Sequence, residues 1–369
     1  MILRSISLAN FKNIGDAHLD FSPKINCFLG NNGMGKSNML DAMYFLSLCR
    51  SFTGAQDGVL VRRGEQYASL RANYVRRGMD EEISAALRPG MKKSLKRNGK
   101  AYKRMADHLG AFPVVLLSPA DMELTAGEPA ERRRFIDQIV AQRDNAYFDA
   151  LVRYNNALEQ RNRMLKDENG DEALMDVLEA QMEAAATYII KRRRENIASL
   201  QEIFNIYYSA IAGGSEDARL EYTGDDYEAE GGLAEHMRRT RARDFALRHT
   251  ASGPHRHDIA FLIDGLSVRR SASQGQAKTF TTALRFAQYE LLAGALGIKP
   301  LLLLDDIFDK LDADRVERII RLVGDNEHFG QIFITDTNRR HLNEIIEAMP
   351  GKEYGLWNVE NGTFSLISQ

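Results

Sequence analysis

The sequence predicts an α/β fold: two lobes of mixed sheet and helices with an inserted α-helical arm domain. Three observations lead to it. A short apolar run, Ile25 to Leu29, ends at a glycine-rich loop and opens into residues with helical apolar spacing. The stretch from Glu131 to Ile211 keeps apolar residues three and four apart, with one short interruption. Short apolar runs and helical patterns then return from Ile259 onward. Boundaries set where the pattern changes give a first lobe at 1–118, a helical arm at 119–250 and a second lobe at 251–369.

Taken in order, Ile2, Leu3, Ile6 and Leu8 are apolar among polar neighbours, and Leu19 and Phe21 flank Asp20, as in strands exposed on one face. From Ser37, the residues Met39, Leu40, Met43, Tyr44 and Leu46 predict a helix. Strand patterns recur at Ser69 to Tyr74 and Glu82 to Leu87, and Asn98-Gly99 predicts a tight hairpin turn with positive φ. Val114 to Leu117 is a further short strand closed by Pro119. Helical spacing runs from Glu131 to Leu165. After a turn around Gly170 it resumes from Glu172 to Ile211, about 60 Å at 1.5 Å per residue, and ends at Gly213-Gly214. Ile259, Phe261 and Ile263 alternate into Asp264-Gly265, another hairpin turn. A helix follows over Ala277 to Ala295 with Gly297 as its C-cap, then a buried strand at Leu301 to Leu304. Asp312 to Val323 reads as a helix, Ile332 to Thr335 as a strand, and Arg339 to Met349 as a helix.

Composition narrows the class. With 44% hydrophobic and 27% charged residues among 369, the chain can bury a large core. No apolar run is long enough for a membrane span, and the N-terminus lacks a signal-peptide pattern, so a cytoplasmic protein away from membranes is expected. Cys27 and Cys49 sit in apolar surroundings and offer no disulfide framework or metal spacing. The net charge of −2 confines nucleic-acid affinity to local basic clusters. These are Arg62-Arg63, Arg76-Arg77, Lys92 to Arg104, Arg132 to Arg134, Lys191 to Arg194 and Arg238 to Arg243. The sequence does not choose among them. No run of aromatics suited to stacking on single strands is present, which favours backbone contacts.

Gly30-Asn31-Asn32-Gly33-Met34-Gly35-Lys36-Ser37 fits the P-loop pattern. Glycines let the loop curl so that consecutive N–H groups face phosphate oxygens, and the following helix aims its positive end at them. Lys36 is placed to neutralise the β- and γ-phosphates of ATP, and the Ser37 hydroxyl to ligate Mg2+. Leu301 to Leu304 followed by Asp305-Asp306 reads as a buried strand ending in acids. Asp305 would hold Mg2+ beside Ser37, and Asp306 would polarise the attacking water. Ser273-Gln274-Gly275-Gln276 opens a helix between these two motifs. Ser273 as N-cap and Gly275 leave N–H groups facing outward, a second phosphate-binding surface to which Gln276 belongs.

These motifs in this order resemble the ABC-type P-loop ATPase head of the SMC-like branch, and several stretches resemble the RecF family in particular. They are Phe11-Lys12-Asn13, Ser118-Pro119-Ala120-Asp121, Arg132 to Asp137, Gln160-Arg161-Asn162 and Gly253-Pro254-His255-Arg256-His257-Asp258. The resemblance implies a homodimer closed by ATP, with Ser273 reaching the nucleotide of the opposite subunit in trans and Phe308 to Asp312 as the D-loop. It implies DNA binding at single-strand gaps or single/double-strand junctions, slow hydrolysis, and action with RecR and RecO in placing RecA during replication, repair and the SOS response. Two departures stand out. No glutamine lies near Ser118 to Asp121, and Thr335-Asp336-Thr337 replaces the switch histidine. Asp306 is also one methylene shorter than the glutamate ABC ATPases carry at that place, which suits slow turnover.

Two other readings use the same motifs. A transporter's ATP-binding subunit would fractionate with membranes; the helical insertion argues against it. A P-loop small-molecule kinase would consume ATP in response to a small acceptor and ignore DNA.

Overall fold

A computed structural model of the chain describes residues 1–168, 170–214, 216–308, 311–324, 328–347 and 353–368. The chain divides into two compact units: Met1–Met122, Ile206–Ser215 and Ser273–Gln369 form unit 1, and Glu123–Asn205 with Glu216–Ala272 form unit 2.

The first passage of the chain supplies β1 (Ile2–Phe11), β2 (Ile14–Asp20), β3 (Ile25–Leu29), α1 (Lys36–Leu48), β4 (Ala68–Arg76), β5 (Met79–Leu87), β6 (Ser94–Arg97), β7 (Lys100–Ala101) and β8 (Val114–Leu117). The middle supplies α2 (Met122–Ala126), α3 (Pro129–Arg143), α4 (Asn145–Lys166), α5 (Glu172–Ala212), β9 (Ala218–Thr223), α6 (Leu233–Leu247), β10 (Asp258–Ile263), β11 (Leu266–Ser267) and α7 (Val268–Ser271). The last passage adds α8 (Gln274–Leu296), β12 (Leu301–Asp305), α9 (Ala313–Gly324), β13 (Ile332–Asp336), α10 (Arg339–Glu347), β14 (Tyr354–Glu360) and β15 (Thr363–Ser368).

Unit 1 holds two six-stranded sheets. One is antiparallel, in the order β2-β1-β4-β5-β6-β7. Its strands alternate: Leu70, Ala72 and Tyr74 point into the core, while Ser69, Arg71 and Asn73 face outward. The other has the order β15-β14-β3-β13-β12-β8 and is parallel except for β15. Its strands read as unbroken apolar runs because both faces are covered; Leu301 to Leu304 are all at most 1% exposed. Helix α1 packs against both sheets. Its Met39, Leu40, Met43 and Phe45 join Leu8, Phe11, Leu70, Leu303 and Phe333 in one core, each large side chain contributing about 1.5–3 kcal/mol. That packing fixes the helix that carries the P-loop. Cys27 of β3 and Cys49 are free, buried thiols, each pushed up to about 12 by burial, so neither is a nucleophile.

Unit 2 contains helices and the three-stranded sheet β11-β10-β9. The helical periodicity from Glu131 to Leu165 is broken once, at Asp144. There φ is −145° and the carboxylate accepts from Tyr147 N at 3.0 Å, capping α4. The turn at Asp264-Gly265 joins β10 to β11 with positive φ at both residues, and Asn98-Gly99 does the same between β6 and β7. Strand β9 was not anticipated. The helix expected at Arg339 to Met349 is described as Arg339–Glu347, and Met349 lies outside the described residues, as do Asp309 and Lys310 of the expected D-loop.

Candidate nucleotide site

The P-loop joins β3 to α1. Gly30 has no alternative: a Cβ there would stand 2.4 Å from the Val359 carbonyl oxygen. Gly33 and Gly35 have φ of +80° and +113°, and Gly35 is the N-cap of α1. Lys36 is buried and its Nζ donates to the carbonyls of Gly30 (2.6 Å) and Asn31 (3.1 Å), so the cation is folded back across the loop. Asn31, Asn32 and Gly33 are exposed, leaving the outer rim of the loop open. Asn38 Nδ2 donates to Asn13 Oδ1 at 2.7 Å, and Asn13 reaches the Gly33 carbonyl at 3.4 Å. From the far end of the chain, Gly362 N donates to the Met34 carbonyl at 2.8 Å.

Strands β3 and β12 are separated by β13. Across that gap Ser37 Oγ donates to Asp305 Oδ1 at 2.8 Å, and Thr335 Oγ1 donates to the same oxygen at 2.6 Å. Burial raises the Asp305 carboxyl, offset in part by hydrogen bonds from Thr335 and Ser37. A hard hydroxyl oxygen beside a desolvated carboxylate is the donor set that Mg2+ accepts, with phosphate oxygens completing its shell. Asp306 has φ of 45°, and its N–H meets Thr335 Oγ1 at 3.1 Å. It lines a cavity of about 220 Å3 with Ser118, Gln274, Lys278 and Thr281.

The third predicted group stands elsewhere in unit 1. Ser273 is the exposed N-cap of α8; its Oγ accepts from Gln276 N at 3.2 Å, while Gln276 Oε1 accepts from Ser273 N at 2.9 Å. None of the hydrogen bonds of Ser273 reaches Gly30 to Ser37. An added Cβ at Gly275 would stand 2.7 Å from Arg315 Nη1, so the arginine would have to swing aside. The structure therefore brings Lys36, Ser37 and Asp305 together and leaves Ser273 with its own helix end.

Sequence reasoning missed Thr335 as the hydroxyl on Asp305, and it gave Asn13 no role. It also missed the groove beside the loop, about 660 Å3, lined by Lys12, Asn13, Thr53, Leu60 and Arg62. Lys12 is fixed there by the fully buried Asp41 at 2.5 Å. At the place of the missing switch histidine, Asp336 Oδ2 pairs with His341 Nδ1 at 2.9 Å, five residues further on. The Gly253–Asp258 stretch lies in unit 2. His255 Nδ1 meets Tyr154 OH at 2.7 Å and His257 Nδ1 meets Tyr222 OH at 2.8 Å, so both rings are internal struts.

A P-loop on one strand of a parallel sheet, with an acid-ended strand one position removed, defines an ABC-type ATPase head. The sequence matches the RecF/RecN/SMC N-terminal domain family over residues 2–363. It is 47% identical over 364 residues to the DNA replication and repair protein RecF of Porphyromonas gingivalis, covering 98% of this chain and 99% of that one. It is 45% identical to the RecF of Parabacteroides distasonis, covering 98% of each. The chain belongs to the RecF family. A solved structure of the recombination mediator protein RecF with ATP, in the RecFOR pathway, superposes with a TM-score of 0.88 at 28% identity, covering 100% of this chain and 98% of that one. An SMC head domain from Pyrococcus furiosus shares the fold, with a TM-score of 0.59 at 18% identity, covering 100% of this chain and 96% of that one.

Proposed function

We propose that the protein is an ATP-gated DNA-binding protein of replication and recombinational repair, dimerising on ATP and hydrolysing it slowly. The observation that carries this reading is the contrast within unit 1. Lys36, Ser37 and Asp305 form one clustered half-site, while Ser273 stands exposed at the capped start of α8.

In this reading Gly30 to Ser37 wrap the phosphates, and Lys36 exchanges its two carbonyl partners for phosphate oxygens. Ser37 and Asp305 would hold Mg2+, which when bound neutralises charge between the β- and γ-phosphates. Thr335 keeps the Asp305 carboxylate oriented. Asp306 accepts the proton of the attacking water, and its short side chain keeps turnover slow. The groove with Lys12, Asn13 and Arg62 receives the nucleoside. Ser273, Gly275 and Gln276 of one copy offer their helix end to the γ-phosphate held by the other. Because ADP lacks that group, only ATP gives the closed dimer its extra affinity.

RecR and RecO are the partners that the family's pathway supplies, with RecA loading at gaps as the outcome and the cytoplasm as the location. Among the described residues no helix is long and apolar enough to cross a membrane. The test is DNA binding on gapped, single- and double-stranded substrates with ATP, ADP and a non-hydrolysable analogue at fixed salt. Tighter binding with ATP or the analogue than with ADP is expected. Equal binding with all three would refute the gate.

A further inference from the structure

The basic clusters are not alike in the structure. Those of unit 2 are largely engaged internally: Arg132 with Asp258 at 2.8 Å, Arg193 with Asp137 at 2.8 Å, and Arg241 with Glu179 at 2.7 Å. Cations held this way stiffen helices and have little charge left to offer a ligand.

The run from Arg88 to Arg104 is different. It contains no acidic residue. Lys93 and Arg97 turn inward, to Asp57 (3.1 Å) and Glu81 (2.5 Å). The other cations of β6, β7 and their approach, Arg88, Lys92, Lys96, Lys100 and Lys103, are exposed and form no ion pair among the described residues. Strand geometry explains the split. Leu95 points into the core, so Lys96 must point out; the positive-φ turn at Asn98-Gly99 then returns the chain as β7, the edge of the sheet. Inward from Lys96, the register continues through Ser84, Arg71 and Ser7 on the same outer face. Serines alternate with cations along that row, the inner one, Arg71, lying 3.7 Å from Glu82. The segment's one aromatic, Tyr102, is half-buried and bonded to His108 at 3.0 Å, so it offers no stacking platform.

We infer that this cationic β6–β7 edge, with Arg88, Lys92, Lys96, Lys100 and Lys103, holds the phosphate backbone of duplex DNA. The inference rests on the DNA-binding reading above and adds the surface that reading leaves unassigned. Exposed cations without an ion pair among the described residues, beside a polar face, suit a regular polyanion, and the lack of a stacking ring favours duplex over single strands. Lysines on an edge strand also discourage edge-to-edge pairing of sheets. Reversal to glutamate keeps that protection while inverting the charge, so it separates the two roles.

The experiment compares the full-length protein with a variant carrying glutamate at all five positions, on a duplex oligonucleotide with a non-hydrolysable ATP analogue. Fluorescent-nucleotide binding and thermal melting serve as controls for folding. The variant should keep nucleotide affinity and lose duplex affinity by roughly 100-fold or more at about 0.1 M salt. Lys96→Ala alone should cost roughly three- to tenfold and flatten the salt dependence by about one phosphate contact. If the wild type fails to bind duplex with nucleotide, the DNA reading itself falls. If the wild type binds and the variant binds equally, only this assignment falls. A variant that loses binding to phosphatidylserine vesicles yet keeps duplex affinity would mark the edge as a membrane surface and overturn the assignment.

Discussion

The two elements of unit 1 proposed to bind phosphate, the P-loop and the start of α8, differ in how much of their structure is organised within the chain. Around the P-loop, Lys36 and Asp305 are 3% and 5% exposed, and Ser37 and Thr335 both donate to one carboxylate oxygen. At the start of α8, Ser273 is exposed, and among the described residues its side chain bonds only within its own capping box. The first is held together by its own hydrogen bonds; the second is a capped helix start at the surface. The difference teaches where binding energy goes. In the proposed function, nucleotide affinity belongs to the organised half, and the exposed half would convert bound nucleotide into contact between two copies.

The largest expected effect breaks the organised half. Lys36→Met should lower nucleotide affinity by about 100-fold or more, since it leaves phosphate charge unpaired in a buried site. Titration with a fluorescent ATP analogue checks it, and near-normal affinity would shift the phosphate site elsewhere. Next, Asp306→Asn should leave nucleotide binding intact and slow hydrolysis on the order of 100-fold, the loss expected when a general base is removed. Single-turnover phosphate release measures this; unchanged release would assign the water to another group.

A third prediction uses pH. His255 and His257 in unit 2 are held down to about 4, chiefly by burial. Their folded values lie below the unfolded value near 6.5, so their contribution to stability is complete above pH 6.5 and is lost as pH falls toward 4. Urea midpoints should therefore fall between pH 7 and pH 5, and His257→Gln should flatten that fall. An equally steep fall in the variant would place the acid sensitivity at the other histidines that burial depresses, His255 and His108, both also held down to about 4. The smallest effect concerns the prop under the loop. Gly362→Ala, at φ of +77° and with its Cβ 2.5 Å from the Asn13 carbonyl oxygen, should weaken nucleotide binding several-fold. Isothermal titration would detect it, and unchanged affinity would make the prop dispensable.

The two halves were also unequally legible in sequence. The P-loop, the acid-ended strand and the capped helix are local patterns in which residue type and spacing state the chemistry, and strand, loop and helix lie within residues 25–48. Thr335 gave no such signal, because β3 acquires its neighbours β13 and β14 from some 300 residues further along the chain. Asn361-Gly362 carries the same hairpin dipeptide as Asn98-Gly99, but nothing local states that the turn meets Met34 of the P-loop. The break at Asp144 was hidden because apolar spacing continues through it, although aspartate is a favoured cap. Strand β9 did leave a trace: Ala218, Leu220 and Tyr222 alternate with Arg219 and Glu221, a two-residue period beside a long helical stretch. The basic clusters were visible, but only packing separates cations already paired, such as Arg193, from free ones such as Lys96.

The most direct measurement is sedimentation velocity of Ser273→Arg with saturating non-hydrolysable ATP analogue, alongside nucleotide titration of the same protein. The account predicts nucleotide affinity close to wild type and a species that stays monomeric where the wild type dimerises. A Ser273→Arg protein that binds the analogue and dimerises like the wild type would contradict it.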